Sequence, residues 1–264
     1  MPLAAPAAGG PPNRMRAAGR PDEARAAGRP DEVLIDAIRS ALAGAGDPER
    51  ARGQQRYMKS AMPYRGITSG ELRLILRPLL GGHRIGERAD WAATVLALWD
   101  DANYREERYA ATALSGHRHY RGWQDPQAMP LYEHLVVTGA WWDHVDEIAA
   151  HRVGPILAAH RDTETARMLA WSVADDMWLR RVSILCQLSH KGTSDLGLLE
   201  AVILNNLAGT AYGQEFFIRK AIGWALRQHA RVDADWVGAF VAAHRDRLSG
   251  LSIREALKHL PHLR

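Results

Sequence analysis

The sequence predicts an all-α protein, a curved array of antiparallel helix pairs forming an α-solenoid. Three observations carry this expectation. From residue 33 onward, apolar residues recur at three- and four-residue spacings between short polar or glycine-containing breaks. Runs of alternating β-branched residues, the signal of strands, scarcely occur. The second helices of successive pairs fall near Arg108, Asp146, Arg181, Lys220 and Arg254, a period of roughly 35–40 residues that suits helical-repeat arrays. Identity between the units is poor, so the repeat is structural. Stacked pairs of this kind present one continuous surface built from their second helices.

Residues 1–32 are Ala, Pro, Gly and Arg in the main, with one eight-residue block repeated at 16–23 and 25–32. Such a segment has too little apolar mass to offset its ordering entropy, so a disordered tail is expected ahead of a single domain over 33–264. Val33 to Leu42 reads as the first helix, ended at Gly44 and Gly46. A second runs from Gln54 to Met62 and stops at Pro63. Thr68 to Glu71 is a capping-box pattern that opens a helix to Leu80, bent or ended at Pro78. Asp90 caps a helix to Trp99, and Tyr104 to Tyr120 carries the next. Asp125 and Pro126 open a helix to Val137, followed by Trp141 to His151. Asp162 caps a helix to Val173, and Asp176 starts one to Ser189. Ser194 to Leu207, Phe216 to Arg231 and Asp233 to His244 follow. Ser252 to Glu255 is a second capping box, for the last helix.

The length of 264 residues suffices for a substantial core. A net charge of +4 suits a polyanionic partner without demanding one. Five arginines face four carboxylates in the first 32 residues, so most of the excess belongs to the folded part. The single cysteine, Cys186, excludes an intramolecular disulfide and fits a reducing compartment. No apolar run reaches the ~18 residues of a membrane span, and no signal core opens the chain. An intracellular, cytoplasmic location is expected. Metal, nucleotide and serine-nucleophile chemistry lack their signatures. His117 with His119, and His259 with His262, have no cysteine or carboxylate partners at ligand spacing, and neither a Gly-rich phosphate loop nor a nucleophile elbow is present. No cofactor is expected.

Three constellations remain. On the helix from Phe216, Ile218, Ala221, Ile222 and Ala225 form an inward face. Lys220, Trp224, Arg227 and Arg231 stack on the opposite side. An indole framed by cations suits a nucleic acid, the cations meeting phosphate and the ring a sugar or base. A tryptophan packed under a neighbouring helix, with a solvated cationic edge, fits the spacing equally. On the helix from Trp141, Trp141, Val145 and Ile148 form a core stripe beside Trp142 and Asp146. That second stripe presents an aromatic and a carboxylate together, or places a surface acid near some arginine. On the helix from Asp176, Arg181 shares an arc with Met177, Trp178, Leu185 and Leu188, which requires a carboxylate partner or a bound anion. Arg180 is expected to point to solvent. At Thr68, the free N–H groups of a helix N-terminus meet Ser69 and Arg73, a pattern that fits phosphate binding or an ordinary capped helix.

Ordered motifs connect these features: Arg56-Tyr57-Met58-Lys59, the turn Gly66-Ile67-Thr68-Ser69, Trp141-Trp142-Asp143 with Val145 and Asp146, and Trp178-Leu179 with Arg181, Ile184 and Leu185. Phe216-Phe217-Ile218 with Lys220 to Trp224, Leu226 and Arg227 follows, and Leu248-Ser249 with Leu251, Ser252 and Arg254 to Ala256 closes the series. From about residue 33 to the C-terminus the chain resembles the DNA alkylation repair glycosylases built from HEAT-like repeats, the AlkD-like family. The resemblance implies a HEAT-like-repeat solenoid, acting as a monomer on double-stranded DNA that contains alkylated purines. The implied reaction is hydrolysis of the N-glycosidic bond of N3- or N7-alkylated purines. By position, Asp146 matches the catalytic carboxylate, Trp142 and Trp224 the two cleft tryptophans, and Arg181 the cleft arginine. Ser69, Arg73 and Arg227 match DNA-backbone contacts, and Lys220 and Tyr57 fall in the same DNA-binding motifs. Ser189 stands where some relatives carry a DNA-contacting lysine, with Lys191 close by. His144 replaces a small polar residue, and Gly70 a proline. A non-catalytic DNA-binding scaffold would use the same surface without needing Asp146, and a protein-binding helical repeat would need no DNA affinity at all.

Overall fold

A computed structural model describes residues 28–260 of the chain. These form fourteen α-helices and no strand. In order they are α1 (Glu32–Gly44), α2 (Pro48–Met58), α3 (Ser69–Gly82), α4 (Arg88–Asp100), α5 (Arg105–Ser115), α6 (Met129–Gly139) and α7 (Trp142–Ile148). Then come α8 (Gly154–Ala159), α9 (Arg161–Ser172), α10 (Met177–Leu185), α11 (Leu196–Leu204), α12 (Phe216–His229), α13 (Ala234–Ala243) and α14 (Gly250–Ala256). Helices α3, α5, α7, α10, α12 and α14 pack each on the next in one layer. The others back it: α1 on α3 and α5, α4 on α5, α6 on α7, α9 and α11 on α10, and α13 on α12 and α14. This is the layering of an α-solenoid, and its core is one continuous apolar cluster running between the two layers. Trp91, Trp99, Tyr120 and Tyr132 are its largest fully buried side chains.

The helices form where the apolar periodicity puts them, while several ends differ. Helix α2 begins at Pro48, because Asp47 caps it by accepting from the Glu49 and Arg50 amides and Pro48 suits a first turn. It stops at Lys59, whose left-handed conformation (φ 51°) closes the C-terminus. Thr68 and Glu71 form the reciprocal capping box expected of them. Helix α3 nevertheless continues through Pro78 to Gly82. Pro78 and Leu74, whose carbonyl loses its partner, both lie on the exposed side, where water satisfies the free group. The helix expected over Tyr104 to Tyr120 ends at Ser115 and resumes as a 3-10 turn over Arg118–Trp123. Four caps sit elsewhere than expected: Glu87, His160, Asp195 and Ser249 precede the helices assigned to Asp90, Asp162, Ser194 and Ser252. Ser249 accepts from the Ser252 amide at 3.0 Å, so Ser252 lies one turn inside α14, where its hydroxyl donates to the Arg219 carbonyl. After α7 the chain widens into a π-turn over Ala149–Val153 before α8. Pro155, at the start of α8, has no N–H to continue an α ladder, which accounts for the wider turn.

Residues 1–27 of the expected tail, and His262, lie outside the described residues. Ahead of α1, the Arg29 amide donates to Asp90 Oδ1 at 2.8 Å. Asp31 caps α1 through the Leu34 amide and pairs with His83. Among the described residues no helix is long and apolar enough to cross a membrane.

Two buried groups bear on stability. Arg180, expected at the solvent, is 6% exposed. It donates to the carbonyls of Val173, Ala174 and Asn205 and to Asn206 Oδ1, closing the end of α9 against the segment after α11. The guanidinium fork reaches carbonyls that the C-terminus of α9 leaves unpaired, and this outweighs the pull of solvent. Cys186 is fully buried, its thiol donating to the Ser183 carbonyl at 3.2 Å, and burial pushes its pKa up to about 12. Cys186 should therefore be inert to a thiol-disulfide reagent at pH 8 in the native protein and titrate at once in denaturant. Rapid native labelling would contradict the packing of α10.

Candidate functional site

Helix α7 is short, and its position is set by the turn that precedes it. Ala140, in the left-handed region (φ 40°), turns the chain sharply between α6 and α7. Gly139 allows close approach there, since a Cβ would sit 2.8 Å from the Trp99 ring. Val145 and Ile148 are fully buried as the stripe predicts, and Trp141 packs on Trp178 and Phe217. The adjacent face, with Trp142, Asp143 and Asp146, opens into a cleft of about 440 Å³. Ser189, after α10, and Trp224 and Gln228 of α12 line its other side. The two indoles and Asp146 thus meet in one cleft, although Trp224 stands on a different helix from the other two.

Asp146 is held by Arg181, whose Nε donates to Oδ1 at 2.7 Å and Nη2 to Oδ2 at 2.8 Å. This is the carboxylate partner that the apolar arc around Arg181 demanded. Arg181 itself is 3% exposed, and its Nη1 donates to the Phe217 carbonyl, so one side chain joins α7, α10 and α12. Burial raises the pKa of Asp146; Arg181 opposes this, and the charge of Asp143 adds to it. The result is a carboxylate with more than ordinary affinity for a proton, in a cleft that two indoles also line.

Asp143, three residues earlier, lines the same cleft. Arg105 of α5 donates to both its oxygens, and the Tyr109 hydroxyl donates to Oδ2. Tyr109 is in turn within 3.1 Å of the Tyr64 hydroxyl. Burial pushes the pKa of Asp143 up, but the positive charge of Arg105 and the bonds donated by Arg105 and Tyr109 hold it below the usual carboxylate range.

Between them His144 points into the core, 1% exposed, edge-on to Trp99 and against Tyr109, with neither ring nitrogen hydrogen-bonded. Burial lowers its pKa to about 3 from an ordinary 6.5. The folded protein therefore resists protonation that the unfolded chain accepts. The stability this confers is full above about pH 6.5 and is lost as pH falls toward 3, on the order of 4 kcal/mol across the window. Denaturant midpoints of the wild type should drop over that range, and His144→Leu should flatten the drop. Parallel pH profiles for the two proteins would refute the assignment.

On α12, Ile218, Ala221, Ile222 and Ala225 are buried as the periodicity requires. Gly223 lets α14 approach so closely that a Cβ would meet Glu255 Cβ at 2.6 Å and the Ser252 carbonyl at 3.0 Å. That crossing delivers Glu255 between Lys220 and Arg227. Lys220 Nζ pairs with Glu255 Oε1 at 2.7 Å, and Arg227 with Oε2. Both cations are thus on a carboxylate that sequence spacing did not associate with them, while Arg231 is exposed. Trp224, between the two, faces the cleft.

Tyr57, Ser69 and Arg73 are not brought to the cleft. They stand on α2 and α3, separated from α7 by α5 in the helix layer, and all three are exposed. Their loop is nonetheless fixed from α5: the buried Glu106 carboxylate accepts from the amides of Arg65, Gly66 and Ile67. Gly66 takes φ 87°, and a Cβ there would strike the Asp47 carbonyl. The first turn of α5 therefore anchors this loop through Glu106 and the cleft helix through Arg105. Among the described residues no cluster of three or more His, Cys, Asp or Glu could hold a metal.

Sequence reasoning missed Arg105, Tyr109, Gln228 and Glu255, and left Asp143 without a role. Only Asp143 carried a signal, one turn from Asp146 on the same short helix. A family model described as "DNA alkylation repair enzyme" matches residues 38–260. Among solved structures, one titled "Predicted DNA alkylation repair enzyme from Enterococcus faecalis" superposes with a TM-score of 0.73 at 28% identity, covering 82% of this chain and 97% of that one. A search of curated proteins gives no match.

Proposed function

The chain belongs to the DNA alkylation repair enzyme family, and from this premise we propose that it is a monofunctional DNA glycosylase that removes N3- or N7-alkylated purines from duplex DNA. The observation that carries this reading is a largely buried carboxylate, Asp146, fixed by Arg181 in a cleft lined by Trp142 and Trp224. Alkylation at N3 or N7 makes the purine cationic. The C1′–N9 bond can then break with its electron pair passing to the ring, which leaves neutral and needs no acid. Positive charge develops on the sugar as the bond lengthens. Asp146 stabilises that oxocarbenium-like state and orients the water whose oxygen bonds to C1′. The negative faces of the two indoles favour the same cationic sugar. Lys220 and Arg227, with Ser69, Arg73 and Tyr57 further along, are proposed to grip the backbone, the cations exchanging part of their contact with Glu255 for phosphate.

A second reading has one observation in its favour. Both oxygens of Asp146 are engaged by Arg181, as in a purely structural ion pair, so the same surface would serve a scaffold that binds damaged DNA without cutting it. Release of 3-methyladenine or 7-methylguanine from methylated duplex DNA, wild type against Asp146→Asn, separates the two. Salt-dependent binding with no base released would select the scaffold.

A further inference from the structure

We propose that Asp143 is a positioning residue for this reaction, its fixed charge tuning Asp146 as proton acceptor for the attacking water. This rests on the glycosylase reading. The geometry repeats itself around α7. Each of the two cleft carboxylates is clamped by a buried arginine from a neighbouring helix of the same layer, Arg105 of α5 on Asp143 and Arg181 of α10 on Asp146. The four side chains are between 4% and 14% exposed, the arginines least. Like charges three residues apart on one helix repel, and burying two ion pairs costs more than packing apolar residues of the same size. A purely structural pair would also have no reason to line the cleft, yet Asp143 does.

The two clamps are not equivalent. Asp143 has Arg105 and a third donor, the Tyr109 hydroxyl, which is itself backed by Tyr64. It stays charged. Asp146 has Arg181 alone on its oxygens and takes up a proton more readily, partly because Asp143 stands beside it. Divergent proton affinities in neighbouring carboxylates mark a division of roles. As water bonds to C1′ and the purine leaves with the C1′–N9 electron pair, one water proton passes to Asp146. Asp143 makes that transfer more favourable and adds negative potential on the same side of the cationic sugar. The other groups facing Asp146 are Arg181 from α10, Glu147 on α7 and His151 in the π-turn. Helix α12 presents Trp224 and Gln228, its nearby cations Lys220 and Arg227 being paired with Glu255. Asp143 faces Arg105 and Tyr109 of α5 and adjoins the neutral His144.

The test is a pair of pH titrations on wild type and Asp143→Asn. Because that variant leaves Arg105 without its counter-charge, the charge-balanced Arg105→Gln/Asp143→Asn double variant is carried alongside. In single-turnover base release, both variants should be roughly three- to tenfold slower at neutral pH. Their acid limb should move downward, further in Asp143→Asn than in the charge-balanced double variant, because Asp143 raises the proton affinity of Asp146. A carboxyl-carbon NMR titration of Asp146 in the free protein should show the same downward movement. An acid limb and an Asp146 titration that coincide with wild type, or move upward, would overturn the proposal. If the wild type releases no base, the glycosylase reading falls, and an unmoved Asp146 titration then removes the coupling as well.

Discussion

Asp146→Asn is expected to keep the fold and to lower the single-turnover rate of alkylpurine release by about two to three orders of magnitude. The amide is isosteric, and its Oδ1 can still accept from Arg181, so the junction of α7, α10 and α12 survives with one hydrogen bond fewer. In the proposed reaction, what disappears is the negative charge facing the developing sugar cation and the site that takes the water proton. An interaction made mainly in the transition state lowers the rate and leaves substrate binding largely unchanged. Binding to methylated duplex, measured at two salt concentrations, should therefore match wild type within about twofold. Undiminished release would move the chemistry to another residue and leave Asp146 as the structural ion pair of the scaffold reading.

Arg181→Met is expected to cost about 3–5 kcal/mol of folding stability. The guanidinium lies 3% exposed and satisfies both oxygens of Asp146 and the Phe217 carbonyl. Removing it strands a buried carboxylate and a carbonyl. Burial then acts on Asp146 unopposed, so its pKa rises further above the ordinary carboxylate value. Activity that requires the ionised form disappears as pH falls through that higher value, which moves the acid limb upward, opposite to the shift expected from Asp143→Asn. The double variant Arg181→Met/Asp146→Asn removes the stranded charge and should recover most of the lost stability in urea unfolding. Additive losses in the double variant would show that the two side chains do not act as a pair.

Much of the cleft was legible because its residues announce themselves locally. The helical face of α12, with Ile218, Ala221, Ile222 and Ala225 inside and Trp224 away from them, follows from a 3.6-residue repeat. Arg181 declared its need for a carboxylate partner or a bound anion by its position in an apolar arc, and the structure supplies Asp146. What stayed hidden are relations between helices. Glu255 reaches Lys220 and Arg227 only because Gly223 lets α14 cross α12 closely, and Arg105 reaches Asp143 across 38 residues of chain. Caps were misplaced for a similar reason. Ser252 matches the capping pattern as well as Ser249 does, yet it is Ser249, in extended conformation before the helix, that accepts from the Ser252 amide, which places Ser252 inside α14 with its hydroxyl on the Arg219 carbonyl. Arg180 was assigned to solvent because adjacent residues on a helix diverge by about 100°; which direction is outside depends on what packs there.

By itself the sequence determined the all-helical class, the pairwise repeat, the buried face of α12 and the candidacy of Trp142, Asp146, Arg181 and Trp224. Those properties rest on hydrophobic periodicity and on contacts three or four residues apart, which every turn of helix repeats. The tertiary structure alone decided which carboxylate each arginine holds. It also set the order of proton affinity between Asp143 and Asp146, and brought Trp142 and Trp224 into one cleft. Those properties depend on the rotation and crossing of helices distant in the chain, and on how deeply each charge is buried once they have packed.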